Sequence, residues 1–312
     1  METVVYAARL KDHELLKKSS SGGAFRSLSD VFLERGDAVV CAVYDYDSHS
    51  AGFKMILTKE ERDEAIGSKY MQSIPGTIYK DSLKWLKDNP EKKMLFVGMG
   101  CQAAGFRKFI DMSGLSERVT VCDIICHGSP SPKIWRDYAG IIEKKHGKIE
   151  YLTFKDKRRG WNKPLSLVVA GGKEVSIQSY KLLFTSNCIM RPACHRCPYA
   201  RIERSTDITI GDYWHIEKKL PDFYDPMGNS LVLIHSEKGK SLFDAAKSKM
   251  EIMESNKEDC WQKNLEKPTP CSSQRTDFWK DYEKNGISSV VKNYGSRTLM
   301  QKIKHKIKKF LR

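Results

Sequence analysis

The sequence lacks a long apolar segment, and this absence excludes several classes of protein. No uninterrupted apolar run approaches the roughly 20 residues that a membrane-spanning helix needs. The first residues, METVVYAARLKDHE, do not place a basic segment before an apolar core, as a secretory signal peptide does. No recognised nucleic-acid-binding motif is found either. We therefore expect a cytoplasmic protein with no nucleic-acid partner.

Acidic residues are scarcer than basic ones, whereas cysteine is plentiful. The 312 residues include 54 Lys and Arg against 39 Asp and Glu, which gives a net charge of +15. This excess suits an anionic ligand such as a dinucleotide phosphate, or an acidic carrier protein; a solvated basic surface is the alternative. Nine cysteines do not indicate a disulfide framework, because the cytosol keeps thiols reduced. Some of them should be ligands or redox groups.

The positive charge is concentrated at the C-terminal end of the chain. Residues 297–312 carry seven Lys or Arg and no acid. Apolar residues recur on one predicted helical face of this segment: Leu299, Met300, Ile303, Ile307 and Phe310. A basic amphipathic helix of this kind can lie on an anionic membrane surface. We expect peripheral contact with the inner membrane face, with a helix docked on the protein body as the alternative.

Alternating apolar strands and amphipathic helices indicate the fold class. Short β-rich runs recur along the chain, separated by helical patterns and by turns that contain glycine. We expect a mixed α/β fold (α+β in places), with a mixed, partly parallel sheet flanked by helices. We divide the chain into an N-terminal region, 1–148, a second region with a Cys-x-x-Cys loop, 149–255, and a basic helical tail, 256–312.

One strand–helix–strand unit carries two of the cysteines. The apolar run Lys93–Val97 leads into Cys101 and a helix, and the strand Val119–Ile125 then ends at Cys126. A short crossover of this kind predicts parallel neighbouring strands. Because adjacent strands lie about 5 Å apart, Cys101 and Cys126 should emerge side by side at the carboxyl edge of the sheet. Open α/β sheets bind their ligands at this edge.

A second pair of thiols, Cys194 and Cys197, has Cys-x-x-Cys spacing and is followed at once by proline. This spacing directs two thiolates into one pocket that suits a metal or cluster; a redox dithiol or two core cysteines are the alternatives. With Cys101 and Cys126, four thiolates suffice for a [4Fe–4S] cluster or a zinc ion. Zinc ribbons use two such motifs, and the single one here favours iron–sulfur. We expect His195, inside the motif, to face solvent.

Three segments are candidate sites for an anionic cofactor. The loop Ser19–Gly23 opens a helix whose free N–H groups attract phosphate. The segment Gly67–Met71 places a lysine and an aromatic residue beside small residues, and Lys155–Trp161 is a cationic run that ends in Gly-Trp. A capped helix, an ordinary turn and a solvated hairpin are the respective alternatives.

Several of these stretches together resemble the beta-subunit family of coenzyme F420 hydrogenases and dehydrogenases, in its bacterial branch. They span residues 19–243 in order: SSSGGAFRSL, GSKYMQS, FVGMGCQAAGFRKF, DIICHGSPSPKIW, FKDKRRGW, IMRPACHRCPYA, STDITIGDYW and NSLVLIHSEKGKSLF. A single short motif would carry little weight, whereas eight in the same order are a specific signal.

The resemblance implies an FAD-binding protein with a [4Fe–4S] cluster beside the flavin, in which residues 1–148 bind the flavin. Carried over by position, the cluster ligands would be Cys101, Cys126, Cys194 and Cys197. The flavin-binding residues would be Ser21, Gly22, Gly23, Ser68, Lys69 and Tyr70, with Lys155 and Arg158 nearby. The implied activity is that of an iron–sulfur flavoprotein oxidoreductase, and no catalytic residue is assigned.

Three departures from the family pattern affect this interpretation. The ferredoxin-like module with eight clustered cysteines, found in many relatives, does not occur here, so we expect an external ferredoxin or similar electron donor. The loop Gly98–Gly100 reads Gly-Met-Gly where the family commonly has Gly-Thr-Pro, so its backbone should differ. Cys188 has no counterpart in the hydrogenase proteins of the family and is a spare thiol or an alternative ligand.

Two functions are compatible with the sequence. The first is a FAD- and [4Fe–4S]-dependent oxidoreductase that passes electrons between a ferredoxin-like donor and an unidentified acceptor; the resemblance to the bacterial branch suggests a role in surface-polysaccharide metabolism. The second is a zinc-stabilised, non-catalytic binding protein of a polysaccharide or membrane-associated assembly. The metal content of the purified protein distinguishes the two.

Overall fold

Residues 1–296 are described by a computed structural model, in which a nine-stranded mixed sheet organises most of the chain. In chain order, the strands are β1 (Val4–Leu10), β2 (Ala38–Asp45), β3 (Ser50–Ile56), β4 (Ser73–Ile74), β5 (Met94–Met99), β6 (Val119–Ile124), β7 (Ile149–Asp156), β8 (Leu165–Ala170), β9 (Lys173–Ser176), β10 (Ile208–Asp212), β11 (Ser230–Ile234) and β12 (Met250–Ser255). The helices are α1 (His13–Lys18), α2 (Ala24–Leu33), α3 (Lys59–Glu64), α4 (Ile78–Asp88), α5 (Gly100–Asp111), α6 (Pro132–His146), α7 (Gln178–Thr185), α8 (Ile216–Lys219), α9 (Glu237–Ala246) and α10 (Arg275–Tyr294).

The large sheet has the strand order β12-β1-β11-β10-β6-β5-β2-β3-β4. Its centre is parallel, because β10 pairs with β6, β6 with β5 and β5 with β2 in the same direction. Strand β11 is antiparallel to both β10 and β1, so β1 runs in the direction of the parallel strands. The predicted mixed, partly parallel sheet flanked by helices is therefore confirmed. The loops that follow β1, β5, β6 and β10 all lie at the carboxyl edge of this sheet.

Helices cover both faces of this sheet. Strand β5 shows how the sequence achieves this, since its side chains alternate between faces. Leu95 packs in the cluster that α2 and α9 cover, whereas Phe96 packs in the cluster that α4 and α5 cover. Burial on both faces explains why β5 reads as a nearly continuous apolar run.

A second, antiparallel sheet of β7, β8 and β9 forms its own layer with α6, α7 and α10. A tight hairpin at Gly171 and Gly172 joins β8 to β9, and both glycines have positive φ values, +53° and +72°, which favour glycine. Helix α10 contributes Phe278 to this second core and is interrupted at Gly286. None of the helices within residues 1–296 has the length and apolar character required to cross a membrane. The predicted basic amphipathic helix, 297–312, lies outside the described residues.

Candidate cofactor site

Cys101 and Cys126 emerge at neighbouring strand ends, as the strand–helix–strand pattern predicts. Strands β5 and β6 are paired in parallel up to the register Met99↔Ile124, two residues before each cysteine. Cys101 lies in the first turn of α5, where its own N–H and that of Gln102 donate toward its sulfur. A backbone N–H, that of Gly128, likewise donates to the sulfur of Cys126. These backbone donors lower the pKa of both thiols, but burial outweighs them and raises the pKa of each above its ordinary value.

Cys194 and Cys197 are brought to the same edge by a short backbone ladder. Pro130, just after β6, forms an antiparallel bridge with Met190, and the Arg191 N–H donates to the Ser129 carbonyl oxygen at 2.9 Å. The Ser129 N–H in turn donates to the Cys194 sulfur at 3.3 Å. The loop after β6 therefore holds the Cys-x-x-Cys turn in position.

The four thiols are close enough to influence one another electrostatically. Burial is the main cause that raises the pKa of Cys126 to about 12, and Cys194, Cys101 and Cys197 contribute in the same direction. Burial also raises the pKa of Cys101, with Cys197 and Cys194 contributing in the same direction. Four thiolates at one place repel each other, so they need cations between them. A metal centre provides such cations, since metal ligation deprotonates thiols outright.

Two polar atoms beside these thiols test whether the surroundings suit such a group. Within residues 1–296, Ser129 Oγ and His195 Nε2 are buried without a hydrogen-bond partner. Buried polar atoms are normally paired, so an additional acceptor or donor is expected at each. Sulfur atoms of a cluster are suitable acceptors for the Ser129 hydroxyl. The expectation that His195 faces solvent is wrong, because its Nδ1 lies 3.0 Å from the Thr269 carbonyl oxygen.

A cluster and a single metal ion make different demands on their ligands. A tetrahedral zinc site requires four donors around one ion, with sulfur at about 2.3 Å from the metal. In the portion of the chain that the structure describes, no three His, Cys, Asp or Glu side chains are placed to hold one ion. A [4Fe–4S] cluster is bound through four separate irons, so its cysteines need not converge on one point. Four thiols, the number present here, are what such a cluster requires.

A cleft of about 480 Å³ opens beside the thiols and reaches the loop after α1. Cys126 lines this cleft together with Ser21 and Gly23 of the serine-glycine loop. The volume lies within the range of pockets that bind small molecules and cofactors. Cys126 therefore borders both the cleft and the group of four thiols.

Gly22 and Gly23 let the serine-glycine loop approach the sheet closely. A Cβ atom on Gly22 would lie 2.3 Å from the Ala8 carbonyl oxygen, so only glycine fits between the strands. Gly23 has a φ of +84° and begins α2, whose first turn lines the cleft. Gly22 itself packs behind the loop, while its neighbours face the cleft. The amino end of α2 thus borders this space, with the Ala24 N–H donating to Ser230 Oγ at 3.3 Å.

Ser68, Lys69 and Tyr70 also line the cleft. Burial lowers the pKa of Lys69 to about 8, and within residues 1–296 its Nζ donates only to the Ala65 carbonyl oxygen. The Tyr70 ring stacks on Phe184, with ring centroids 4.4 Å apart and planes inclined by 4°. The cleft therefore has a lysine without a carboxylate partner and a fixed aromatic wall.

Lys155 also lines the cleft, where it forms a buried ion pair with Asp212 at the end of β10. Burial alone would lower the pKa of Lys155, but the Asp212 carboxylate raises it above its ordinary value. The Lys155 Nζ lies 5.4 Å from the ring centroid of Trp214, which is stacked on Trp161. Arg158, in contrast, is exposed outside the cleft lining and pairs with Asp156 and Glu174.

Sequence patterns did not point to several residues of the cleft. Trp214 lies two residues after β10 and lines the cleft. The only sequence feature that could have indicated this role is its position after a strand that ends at the carboxyl edge of the sheet. Gln262 and Asn264 also line the cleft, although they belong to the segment that we assigned to the tail. The Gln262 amide donates to the Asp212 carbonyl oxygen at 3.1 Å, and no local pattern predicts this contact.

A buried ion pair lies directly behind the thiol loops. Arg204 Nη1 donates to Asp123 Oδ2 at 2.5 Å, and both side chains are almost completely buried. Asp123 also accepts hydrogen bonds from Thr206 and Thr209. A Cβ atom on Gly100 would lie 3.0 Å from Asp123 Oδ2, so the glycine leaves room for this pair where the family commonly has proline. The pair joins the end of β6 to the segment after Cys197.

Cys188 belongs to the second core rather than to the surface. Its side chain is fully buried, with the sulfur 3.3 Å from Ser272 Oγ, and its carbonyl oxygen accepts from Trp279 Nε1 at 3.0 Å. The contacts with Ser272 and Trp279 tie the start of the Cys-x-x-Cys region to the segment around α10.

Two family models match most of the chain. The model described as coenzyme F420 hydrogenase/dehydrogenase, beta subunit N-term, matches residues 5–77. The model for the C terminus of the same beta subunit matches residues 91–259. The second match alone covers more than half of the chain.

Individual relatives agree with these matches. The coenzyme F420 hydrogenase subunit beta of Methanococcus voltae is 26% identical over 250 residues, which cover 75% of this chain and 78% of that protein. Among solved structures, a chain of the F420-reducing [NiFe] hydrogenase complex from Methanosarcina barkeri, in a xenon-derivatised form, superposes with a TM-score of 0.53. That alignment covers 93% of this chain and 90% of that chain at 20% identity, so the likeness concerns the fold.

Proposed function

Because this chain belongs to the family of coenzyme F420 hydrogenase/dehydrogenase beta subunits, we propose that it is an iron–sulfur flavoprotein oxidoreductase. The observation that carries the proposal is the meeting of four thiols from three distant segments beside a cleft of cofactor size. In finer terms, the chain would use FAD and a [4Fe–4S] cluster. It would pass electrons between a ferredoxin-like donor and an acceptor that is still unidentified.

The cysteines Cys101, Cys126, Cys194 and Cys197 would hold the cluster. Backbone N–H groups beside three of these sulfurs would stabilise the thiolates and raise the reduction potential of a bound cluster, since hydrogen bonds to sulfur tune it. Cys126 lies between the cluster ligands and the cleft, so a flavin bound in the cleft would be next to the cluster.

The cleft would hold FAD through its two ends. The amino end of α2 and Lys69 offer positive charge to a diphosphate, which free helix N–H groups and lysine both attract. Tyr70 offers an aromatic wall that limits the orientation of a planar ring. Lys155 and Asp212 would supply fixed charges near that ring. When bound, the cluster supplies one-electron chemistry and the flavin two-electron or hydride chemistry.

Metal and cofactor analysis of protein purified without oxygen tests the proposal. We expect about four irons and four sulfides per chain, as a [4Fe–4S] cluster requires, together with one FAD and a brown protein that dithionite bleaches. One zinc per chain without iron or flavin would instead support the zinc-stabilised binding protein. The link to surface-polysaccharide metabolism rests on the resemblance alone, and a screen of cytoplasmic sugar intermediates as acceptors for the reduced enzyme addresses it.

A further inference from the structure

We propose that three exposed arginines beside the Cys-x-x-Cys turn form a docking surface for a small acidic electron-carrier protein. The three residues, called here the arginine face, are Arg191, Arg196 and Arg201. This inference rests on the proposed function, because it assigns the route by which electrons reach the four thiols. It deepens that function by naming where a protein donor binds and which charge it carries.

The arginine face carries uncompensated positive charge. Within residues 1–296, no carboxylate pairs with any of its three guanidinium groups. The single acid between residues 188 and 206 is Glu203, and it already lies 3.6 Å from Lys257. Three arginines within eleven consecutive residues therefore present a local positive field to solvent.

The arginine face lies beside the thiols, where a protein donor could transfer electrons to them. Cys101 is exposed and Cys197 is half-buried, whereas Cys126 lines the cleft. The group of thiols consequently has one side toward solvent and another toward the cleft. A protein donor is too large to enter a cleft of about 480 Å³, so its electrons must arrive from the solvent side. The arginines flank the cysteines on the turn that carries Cys194 and Cys197.

The geometry favours a protein over a small anion as the occupant. None of the three arginines lines the cofactor cleft, and all three are exposed on the surface. Charges spread over an open surface act instead by attracting a partner of opposite charge and by orienting it before contact. Each productive encounter would oxidise the carrier by one electron and reduce the bound cofactors by that electron. No atom is transferred.

Charge reversal combined with two electron donors tests the proposal. We would prepare the holoenzyme with Arg191→Glu, Arg196→Glu and Arg201→Glu, singly and together. Arg35→Glu is the matched control, because Arg35 is also exposed but follows α2, near the start of β5 at the opposite edge of the sheet. Stopped-flow absorbance would follow reduction by an acidic bacterial ferredoxin and, separately, by dithionite, from low to high ionic strength.

We expect the second-order rate constant for ferredoxin to fall about tenfold or more in the triple variant at low salt, because opposite charges accelerate encounter. The dependence on salt should flatten, while reduction by dithionite and the iron content stay as in the wild type. An unchanged ferredoxin rate, or an equal loss in Arg35→Glu, would overturn the docking surface. If the triple variant loses iron, the rate constants of the three single variants with ferredoxin provide the test instead. A wild-type protein without iron or flavin would instead overturn the proposed function.

Discussion

Single side chains at this site have roles that depend on their burial and partners. Lys69 and Lys155 both line the cleft, yet only Lys155 has a carboxylate partner among the described residues. The paired lysine is held protonated by Asp212, whereas burial brings the pKa of Lys69 down to about 8. Lys69 is therefore the cation of this pair that an incoming phosphate can use.

Lys69→Met should weaken FAD binding to flavin-depleted protein by about tenfold or more, since a hydrogen bond to a charged group contributes roughly 1.5–3 kcal/mol. The wild-type affinity should also depend on pH. A phosphate prefers the protonated lysine, so affinity should stay high below about pH 7 and fall as pH rises through about 8. Fluorescence titration of FAD from about pH 6.5 to about pH 9.5 measures both effects. The variant should lack the pH dependence.

The exposed Lys87, at the end of α4, provides a matched control for this experiment. Lys87→Met should leave FAD affinity and its pH profile unchanged. A Lys69→Met variant that binds FAD like the wild type would mean that this lysine does not contact the phosphates.

The cysteine ligands make the sharpest prediction at the residue scale. Cys197→Ala should remove most of the bound iron while the chain stays folded, because a cluster with three ligands is labile but the turn contributes little apolar core. Cys271→Ala changes an exposed cysteine outside the ligand set and should keep full iron content. Iron assay and far-UV circular dichroism of anaerobic samples check this. Full iron in Cys197→Ala would show that the ligand set is wrong.

Among the structural elements, β5, α5 and β6 were predictable from the sequence. Their apolar runs and glycine breaks are local signals, and the crossover rule then places Cys101 beside Cys126. Trp214 and Asn264 were not predictable in the same way. They reach the cleft because β10 pairs with β6 and because the segment after β12 returns across it, and such long-range pairings leave no local pattern.

The run around Lys155 shows a second limit of sequence patterns. Composition alone groups Lys155 with Arg158, and both were assigned to the cofactor site. In the structure Lys155 points to Asp212, whereas Arg158 bonds to Asp156 and Glu174 on the surface. Neighbouring positions at the end of a strand face different sides, and the sequence does not show where the strand ends. The role of Arg158 in flavin binding stays a prediction.

The ion pair between Asp123 and Arg204 connects two elements of the thiol site, and its removal should affect both stability and iron binding. Asp123→Ala leaves the Arg204 charge buried without a partner, which typically costs about 3–5 kcal/mol. We expect a loss of about 3 kcal/mol in the free energy of unfolding, measured with urea, and a lower iron content. The double variant Asp123→Leu with Arg204→Met should recover most of the stability.

An exposed pair serves as the control for this prediction. Lys84 and Asp88 lie on the surface of α4, and Lys84→Ala should leave both unfolding and iron content unchanged. If Asp123→Ala kept normal stability and normal iron, the pair would not position the thiol loops.

At the scale of the whole molecule, the C-terminal segment joins the two layers. Helix α10 contributes Phe278, Tyr282 and Val290 to the second core, and Arg275 and Trp279 near its start donate to the Cys188 carbonyl oxygen. The segment before it supplies Thr269, whose hydroxyl donates to the His127 carbonyl oxygen next to Cys126. Residues beyond 255 therefore support the site, although their sequence alone suggested only a polar, helical tail.

Two truncations separate the contributions of this segment. A chain ending at residue 296 loses seven Lys or Arg, so its net charge becomes 15 − 7 = +8, and it should keep its melting temperature and cofactors. A chain ending at residue 272 also loses α10 and should melt at a clearly lower temperature, because the second core is opened. Differential scanning fluorimetry compares the two. Equal melting temperatures would show that α10 does not stabilise the fold.

The central claim is that sulfur atoms from three separate segments hold one iron cluster next to the cleft. Anomalous diffraction at the iron edge, on crystals of anaerobically prepared protein, tests this most directly. We predict one compact group of iron peaks between Cys101, Cys126, Cys194 and Cys197, with flavin density in the adjoining cleft. Iron located elsewhere, or a single zinc peak bound by only some of these cysteines, would contradict the account.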